Sequence, residues 1–217
     1  MKVLELFSGT GSVGKVCREK GWEVVSLDID GRADININIL NWDYKKDYNR
    51  GDFDIIWCSP PCHTFSALRR VHIGRRLKAF GMDKIVTAEM LDDDMIKNGL
   101  SLVKKAEEII EFFKPKLWFI ENPQTGRMKE FMTHLNYYDV DYCKYSDWGY
   151  RKRTRIWTNN MDFVPKICCK DCENIVNGKH KVDMAVKYSG GNNKKALDFK
   201  YRIPSLLIKD LLDVERK

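Results

Sequence analysis

Two residues with chemically useful side chains follow apolar runs that have the composition of buried strands. Residues 53–58 lead into Ser59-Pro60-Pro61-Cys62, and residues 117–120 lead into Glu121-Asn122-Pro123. A cysteine thiol is intrinsically nucleophilic although little of it is ionised at neutral pH, and a carboxyl group can stabilise charge on a substrate. A structural cysteine and a surface carboxylate are the alternative interpretations. Because both residues stand at strand ends, we predict that Cys62 is a nucleophile and that Glu121 assists it.

A cofactor site is predicted from the segments that follow the first two apolar runs. The first run ends in Phe7-Ser8-Gly9-Thr10-Gly11, a turn whose glycines let a ligand approach the backbone. The second run ends at Asp28, where a carboxylate can bind ribose hydroxyls. The glycine spacing does not suit a diphosphate, and no Lys-Ser/Thr pair follows to hold phosphates. A nucleoside cofactor without a diphosphate fits better, which indicates S-adenosylmethionine.

The elements that must position these groups alternate between strand and helix patterns. Strands are predicted at residues 3–7, 23–27, 53–58 and 117–120, and helices at residues 13–20 and 100–113. This alternation is typical of βαβ units, which form a mostly parallel sheet with helices on both faces. The sequence therefore predicts an α/β, Rossmann-like fold, in which ligands bind beyond the carboxyl ends of the strands.

The second half of the chain is less regular. Further strands are predicted at residues 137–145 and 155–158, and a helix at residues 204–212, where a proline stands at the start. Residues 159–195 show little periodicity. We predict three parts: a catalytic domain at residues 1–158, a short target-recognition segment at residues 159–195, and a C-terminal helix within residues 196–217 that packs back on the catalytic domain.

The motifs LFSGTGSVG, SPPCHTFS, WFIENP and RKRTRIW occur in this order between residues 6 and 157. Together they resemble the motif series of the DNA cytosine-5 methyltransferase family, whose members have the Rossmann-like fold of S-adenosylmethionine-dependent methyltransferases. The tail YRIPSLLIKDLL is similar to the last motif of that family, although it lacks the usual Gly-Asn pair. The segment in the place of the family's target-recognition domain is much shorter here.

The resemblance implies roles for individual residues. Cys62 would attack C6 of cytosine, and Glu121 would hold the N3 and amino edge of the base. Arg155 would bind the carbonyl oxygen of the base, and Arg153 would support the thiolate. The residues that would line the cofactor site are Phe7, Ser8, Gly9, Thr10, Gly11, Asp28 at the ribose, Ile29 on the adenine, Asn38 near the adenine amino group, and Pro60.

Three positions depart from the family pattern. Asn38 stands where the family has an Asp, but its side-chain oxygen can still accept a hydrogen bond. His63 replaces the Gln that follows the nucleophile, and Arg151 replaces the Gln that precedes the paired arginines. The chemistry is expected to survive these changes, whereas loop closure or nucleic-acid contacts could differ.

Charge indicates a polyanionic partner. The chain has 217 residues and a formal net charge of +7, and basic residues crowd the segment after Cys62 and the segment around residue 151. A solvated surface is the alternative interpretation. Since a cytosine inside a duplex is out of reach, such enzymes extrude the base. We predict that DNA is the partner and that it is contacted by Arg69, Arg70, Arg75, Arg76 and Arg151, the first four on a loop that closes over the flipped base.

A second group of chemically interesting residues lies in the irregular segment. Cys168, Cys169, Cys172 and His180 fall within 13 residues of each other, and soft ligands of this kind can hold a structural zinc ion. Adjacent cysteines seldom share one metal, so we expect either Cys168 or Cys169 to take part. Unligated thiols are the alternative.

Other classes of function are less favoured by the sequence. No apolar run is long enough to span a membrane, and the first residues, MKVLELFSG, lack the pattern of a cleavable signal peptide. We therefore expect a cytoplasmic or nuclear protein. An amino methyltransferase acting on cytosine N4 would have an aromatic residue in place of Cys62. An RNA cytosine-5 methyltransferase and a catalytically dead nucleic-acid-binding module remain open alternatives, the second disfavoured because Cys62, Glu121 and Arg155 are all present.

Overall fold

A seven-stranded sheet forms the centre of the molecule. The computed structural model describes residues 1–183 and 194–213, with side chains omitted at 194–197. The strand order is β3-β2-β1-β4-β5-β7-β6, and within it only β7 runs antiparallel to its neighbours. The strands are β1 (Lys2–Leu6), β2 (Glu23–Asp28), β3 (Ile35–Asn36), β4 (Ile55–Cys58), β5 (Leu117–Pro123), β6 (Tyr137–Asp141) and β7 (Arg153–Thr158).

Helices cover both faces of the sheet. On one face, α1 (Ser12–Glu19) packs with the C-terminal helix α6 (Ser205–Leu212) over β1 and β4. On the other face, α4 (Ser101–Phe113) buries its apolar side together with residues of the short helix α2 (Tyr44–Asp47). The helix α3 (Ala88–Asp94) leads into α4 through a π-helical turn at Met95–Leu100. The two hydrophobic cores confirm the predicted layers.

The pattern of α4 shows why the sequence predicted it well. Val103, Ala106, Ile109 and Phe113 are buried at intervals of three or four residues, which is the period of one helix face. The helix ends at Lys114, which has a left-handed φ of 49° and is followed by Pro115, a residue that cannot continue a helix.

Two predictions about the second half require correction. The strand predicted at residues 137–145 ends at Asp141, because Tyr142–Lys144 form a tight 3₁₀ turn. The irregular segment contains a small hairpin that was not predicted, formed by β8 (Ile175–Val176) and β9 (Lys179–His180). The Asn177-Gly178 turn between them has positive φ at both residues, as tight hairpins require.

From residue 194 to residue 213, the chain forms two helices, α5 (Lys194–Tyr201) and α6. Leu207, Ile208 and Leu211 of α6 are fully buried, so this helix packs back on the sheet as predicted. Residues 184–193 and 214–217, which belong to the predicted recognition and C-terminal parts, lie outside the described residues. The division into three parts stays a prediction. Within the described ranges, no helix combines the length and apolar character that crossing a membrane would require.

Candidate active site

The strand register brings the predicted site residues to one edge of the sheet. Leu6 pairs with Leu27 on one side and with Cys58 on the other, and Cys58 pairs with Ile120. These strands are parallel, so the segments that follow all four of them emerge together. This edge is where a ligand binds in a sheet of this kind.

A pocket of about 580 Å³ lies at this edge, a volume that suits a small organic ligand. Ten predicted residues line it: Phe7, Ser8, Gly9, Thr10, Asp28, Ile29, Asn38, Pro60, Cys62 and Glu121. Gly11 is not among the lining residues. It stands at the start of α1 with a left-handed φ of 66°, and its N–H donates to the carbonyl of Ser8 at 2.7 Å. Gly11 therefore stabilises the turn without lining the pocket.

Asp28 joins the first two loops of the pocket. Its carboxylate accepts hydrogen bonds from the backbone N–H groups of Gly9 and Asp30, each at 2.9 Å. Because a carboxylate oxygen can accept more than one hydrogen bond, Asp28 retains capacity for ligand hydroxyls. The next residue, Ile29, is 77% exposed although it lines the pocket, so its apolar side chain is available to a flat apolar group.

Asn38 lies on the third loop of the pocket. Its side-chain oxygen accepts a hydrogen bond from the N–H of Leu40 at 3.0 Å and so caps a short 3₁₀ turn. That oxygen is thus already oriented by its own backbone, and it is an acceptor as the sequence predicted.

The turn that carries Cys62 is held from two directions. The indole N–H of Trp57 donates to the hydroxyl of Ser59 at 3.1 Å, and the side-chain amide of Asn122 donates to the carbonyl of Pro60 at 2.9 Å. Asn122 is buried and directly follows Glu121. The two predicted strand-end motifs are therefore tied to each other.

Cys58 and Cys62 illustrate how burial separates a structural thiol from a candidate nucleophile. Cys58 is fully buried in the sheet, and burial raises its pKa far above its usual range. Cys62 is half-buried and lines the pocket. Burial also raises the pKa of Cys62, and the nearby Glu121 carboxylate adds to the rise, but the Lys152 ammonium group opposes it.

Glu121 is buried and oriented by two neighbours. The hydroxyl of Tyr142 donates to its Oε1 at 3.0 Å, and the Nζ of Lys152 lies 3.9 Å from the same oxygen. Burial and the Glu121 charge raise the pKa of Tyr142, which keeps that hydroxyl in its donor form. The arrangement places a fixed carboxylate and a cation beside the Cys62 thiol.

Arg153 and Arg155 lie elsewhere than the sequence predicted. Arg153 pairs with Asp141 at 2.8 Å, and Arg155 pairs with Asp139 at 2.7 Å while stacking on the ring of Tyr137. Neither is among the described residues that line the pocket. Arg153 and Arg155 are two residues apart on β7, so they share one face of the sheet, where the register pairs them with Asp141 and Asp139 of β6.

Lys152 is the pocket residue that the sequence interpretation missed, although it stands inside the same basic motif. Its Nζ also donates to the carbonyl of Lys200 on α5 at 3.3 Å. The C-terminal part contributes Tyr201 and Ile203 to the pocket wall, and the N–H of Ile203 donates to the Ser12 hydroxyl at 3.2 Å. Lys152 directly precedes β7, and no local signal in the sequence indicated either Lys152 or Tyr201 as a pocket residue.

The predicted nucleic-acid residues after Cys62 have different surroundings. Arg69 is partly buried, forms an ion pair with Asp94 and donates to the carbonyl of Thr64. Arg70, Arg75 and Arg76 are exposed, and Arg76 donates to the carbonyl of Met82 at 3.0 Å. Arg69 therefore anchors this loop, whereas the other three present charge to the solvent.

The fifth predicted nucleic-acid residue, Arg151, pairs with Asp141 at 2.9 Å and is partly exposed. The same carboxylate binds Arg153. Asp141 is fully buried, so it holds two basic side chains at one place on the edge of the sheet.

A separate cluster contains three of the four predicted metal ligands. Cys168, Cys172 and His180 lie together with Cys143, and the four ligand-type atoms are all within 4.8 Å of one another. Cys169 is exposed and is not part of the cluster. Cys143 was not predicted because 24 residues separate it from Cys168 in the sequence. None of these residues lines the pocket.

The fold and the pocket together define a class of protein. A doubly wound, mostly parallel sheet, with a pocket formed by the segments after β1, β2, β4 and β5, is the Rossmann-like fold of S-adenosylmethionine-dependent methyltransferases.

Comparison with known proteins identifies the family. The chain is 44% identical over 223 residues to a protein of Frog virus 3 (isolate Goorha) named "Probable DNA (cytosine-5)-methyltransferase", and the match covers 99% of this chain and all of the relative. The chain therefore belongs to the DNA (cytosine-5)-methyltransferase family. No model of a protein family matches the sequence.

Solved structures also match the chain. The Entamoeba histolytica methyltransferase EhMeth is 15% identical, with a TM-score of 0.47, over 89% of this chain and 61% of that chain. Spodoptera frugiperda DNMT2 is 20% identical, with a TM-score of 0.46, over 77% and 53% of the respective chains. This chain thus spans less than two thirds of the length of either structure.

Proposed function

We propose that the chain transfers a methyl group from S-adenosylmethionine to C5 of a cytosine in DNA, with Cys62 as a covalent nucleophile. The observation that carries the proposal is that Cys62 and Glu121 line the same pocket as the Gly9 loop, Asp28 and Ile29. The reaction requires a thiol, a group that holds the base and a methyl donor to meet in one site.

The donor set of the pocket suits this cofactor. Asp28 would bind the ribose hydroxyls, the exposed side chain of Ile29 would cover the adenine, and the oxygen of Asn38 would accept from the adenine amino group. When bound, S-adenosylmethionine supplies an electrophilic methyl group on a sulfonium centre. The loop of residues 7–11 lets the cofactor approach the backbone, because Gly9 has a left-handed φ of 48°.

The side chains of the chain perform the remaining steps. The Cys62 thiolate forms a bond to C6 of the base, and the electron pair of the C5–C6 double bond becomes available at C5. C5 would take the methyl group, with S-adenosylhomocysteine as the second product. Glu121 accepts a hydrogen bond from the amino group of the base and shares a proton with N3, which offsets the negative charge that the attack on C6 places on the ring. Loss of the C5 proton to water then restores the double bond, breaks the C6–S bond and frees the thiolate.

We assign to Lys152 the support of the thiolate that the sequence assigned to Arg153. Its ammonium group opposes the rise that burial causes in the pKa of Cys62, and it lies 3.9 Å from Glu121. The roles predicted for Arg153 and Arg155 stay predictions, since both guanidinium groups are bound to carboxylates of β6.

DNA is proposed as the substrate because exposed arginines follow the nucleophile directly. Residues 70, 75 and 76 can contact phosphates while a flipped cytosine occupies the pocket. Extrusion of the base costs a few kcal/mol, which such contacts can offset.

Replacement of the nucleophile tests the proposal. Cys62→Ser should abolish methyl transfer to DNA and leave the affinity for S-adenosylmethionine nearly unchanged, since the thiol only borders the cofactor site. Transfer of tritium from methyl-labelled S-adenosylmethionine to DNA measures the activity, and calorimetric titration with S-adenosylmethionine measures the affinity. Cys169→Ser, which changes an exposed thiol outside the pocket, is the matched control and should behave as the wild type.

Two outcomes would overturn the proposal. Substantial transfer by Cys62→Ser would exclude the covalent mechanism and support methylation at N4. Transfer by the wild type to RNA but not to duplex DNA would replace the proposed substrate. Bisulfite sequencing of DNA from cells that express the chain would locate the modified cytosines.

A further inference from the structure

Four ligand-type side chains from three parts of the chain converge on one point beside the sheet. Cys143 lies in the turn after β6, Cys168 and Cys172 lie in the irregular segment, and His180 lies on β9. Cys143 and Cys168 are buried, and all three cysteines are free thiols. We call these four residues the cysteine–histidine cluster.

The distances among Cys168, Cys172 and His180 match those between ligands that share a tetrahedral metal, and the sulfur of Cys143 lies within 4.8 Å of all three. The two sulfurs of Cys168 and Cys172 are 3.6 Å apart, and the Nε2 of His180 is 3.7 Å and 3.6 Å from them. Zinc bonds of about 2.3 Å to sulfur and about 2.0–2.1 Å to nitrogen imply edges of roughly 3.8 Å and 3.6 Å in a tetrahedron. A disulfide would need about 2.05 Å between sulfurs.

Local backbone structure brings the ligands together. Lys170 has a left-handed φ of 65°, and the N–H of Cys169 donates to Oδ1 of Asp171 at 3.1 Å. This turn reverses the chain between Cys168 and Cys172. The Asn177-Gly178 turn then reverses the hairpin, so that β9 returns His180 to the two thiols.

The cysteine–histidine cluster is connected to Arg151 and Arg153 through one carboxylate group. The N–H of Cys168 donates to Oδ2 of Asp141 at 2.9 Å. Asp141 also accepts from Arg151 and Arg153, and its side chain is fully buried. The position of residue 168 therefore influences the position of both arginines.

We propose that Cys143, Cys168, Cys172 and His180 bind one Zn²⁺ ion, and that this ion holds the irregular segment, and with it Arg151 and Arg153, against the edge of the sheet. Between residues 159 and 183 the only buried apolar side chains are Phe163 and Cys168. A segment with so small a core gains order from metal binding, because the free energy of binding is also free energy of folding. Three thiolates and one imidazole favour zinc over magnesium or calcium, which take oxygen ligands.

Metal content tests the proposal directly and does not depend on methyl transfer. The full chain is produced in zinc-supplemented medium and purified without chelator. Inductively coupled plasma mass spectrometry should then find about one equivalent of zinc. After removal of the zinc, added Co²⁺ should give the strong visible absorption of tetrahedral cobalt–thiolate coordination. A wild type that carries less than a tenth of an equivalent and gives no such absorption would overturn the proposal.

Variants identify the ligands. Cys143→Ser and Cys172→Ser should each lose most of the zinc, whereas Cys169→Ser should keep it, because that thiol is exposed and outside the cluster. Loss of zinc from Cys169→Ser with retention in Cys143→Ser would contradict the assignment.

The positioning role of the metal has its own readout. Chelation of the wild type should weaken DNA binding at least tenfold and leave the affinity for S-adenosylmethionine within a few-fold, and added zinc should restore DNA binding. This arm rests on the proposed DNA substrate. Unchanged DNA binding by the zinc-free protein would overturn the positioning role, while the metal content would still decide whether the site exists.

Discussion

At the scale of single residues, the proposed reaction gives different roles to two charged neighbours of Cys62. Glu121 and Lys152 carry opposite charges and lie within 4 Å of each other, but they act on different groups in the proposed reaction. Glu121 would hold the base, whereas Lys152 would stabilise the thiolate. Separate substitutions can distinguish these two effects.

Glu121→Gln should lower the rate of methyl transfer by about two orders of magnitude or more, the scale of electrostatic stabilisation in a transition state. Glutamine preserves the shape of the side chain and can still accept from Tyr142, so the affinity for the cofactor should not change. Single-turnover transfer of labelled methyl groups measures the rate. A variant within a few-fold of the wild type would show that Glu121 does not hold the base.

Lys152→Met should raise the pKa of Cys62 further, because the cation that favours its thiolate is removed. Methyl transfer should fall by about one to two orders of magnitude. The folded protein is alkylated at several pH values, and the peptide that contains Cys62 is quantified after digestion. The dependence of the alkylation rate on pH gives the pKa of Cys62. Arg153→Met is the matched comparison: if it moves this profile as far as Lys152→Met does, the original assignment of Arg153 to the thiolate is the better one.

At the scale of elements, the loop after the nucleophile combines an anchored arginine with exposed ones. Arg69 is bound to Asp94 on α3, and so it connects the loop to the helical layer. Sequence clustering had grouped all the arginines of this loop as equivalent phosphate contacts. The structure distinguishes them, because an ion-paired side chain is less available to DNA than an exposed one.

Replacement of Arg70, Arg75 and Arg76 by Gln should weaken DNA binding and reduce its salt dependence by roughly one unit of slope for each lost phosphate contact. Binding titrations over a range of salt concentrations give the slope. The matched control removes three exposed charges in and after α2, outside the loop that follows Cys62: Lys45, Lys46 and Arg50. An equal reduction in the control would indicate a general effect of net charge.

At the scale of the whole molecule, one buried carboxyl group makes global stability depend on pH. Glu5 of β1 is buried, and its oxygens accept from the N–H groups of Val13 and Gly14 at 3.2 Å and 3.0 Å. Burial raises the pKa of Glu5 to about 7, although these hydrogen bonds oppose the rise. The folded state thus holds this proton more tightly than the unfolded chain does.

A raised pKa in the folded state means that the contribution of Glu5 to stability is full at low pH and is lost as the pH rises towards 7. The free energy of unfolding of the wild type, relative to Glu5→Gln, should therefore fall by on the order of 2 kcal/mol between pH 5 and pH 8. Urea unfolding at several pH values measures it. Glu111→Gln, which removes an exposed carboxylate, should keep the wild-type dependence; a flat difference for Glu5→Gln would contradict the prediction.

The sequence by itself determined the sheet, its layers and the central pocket residues. Apolar runs of strand length and the helical period of residues such as Val103 and Phe113 are local patterns, and parallel strands necessarily bring their carboxyl ends to one edge. For that reason the sequence alone assigns Asp28, Cys62 and Glu121 to one site.

Only the tertiary structure decided which cation faces the pocket and which thiol completes the cysteine–histidine cluster. Lys152 and Arg153 are adjacent in the sequence, and the pairing of β7 with its neighbours determines which of them points towards Cys62. Cys143 joins Cys168 because the turn after β6 and the irregular segment both contact the same sheet edge. These contacts join residues that are distant in the chain, and no local periodicity carries that information.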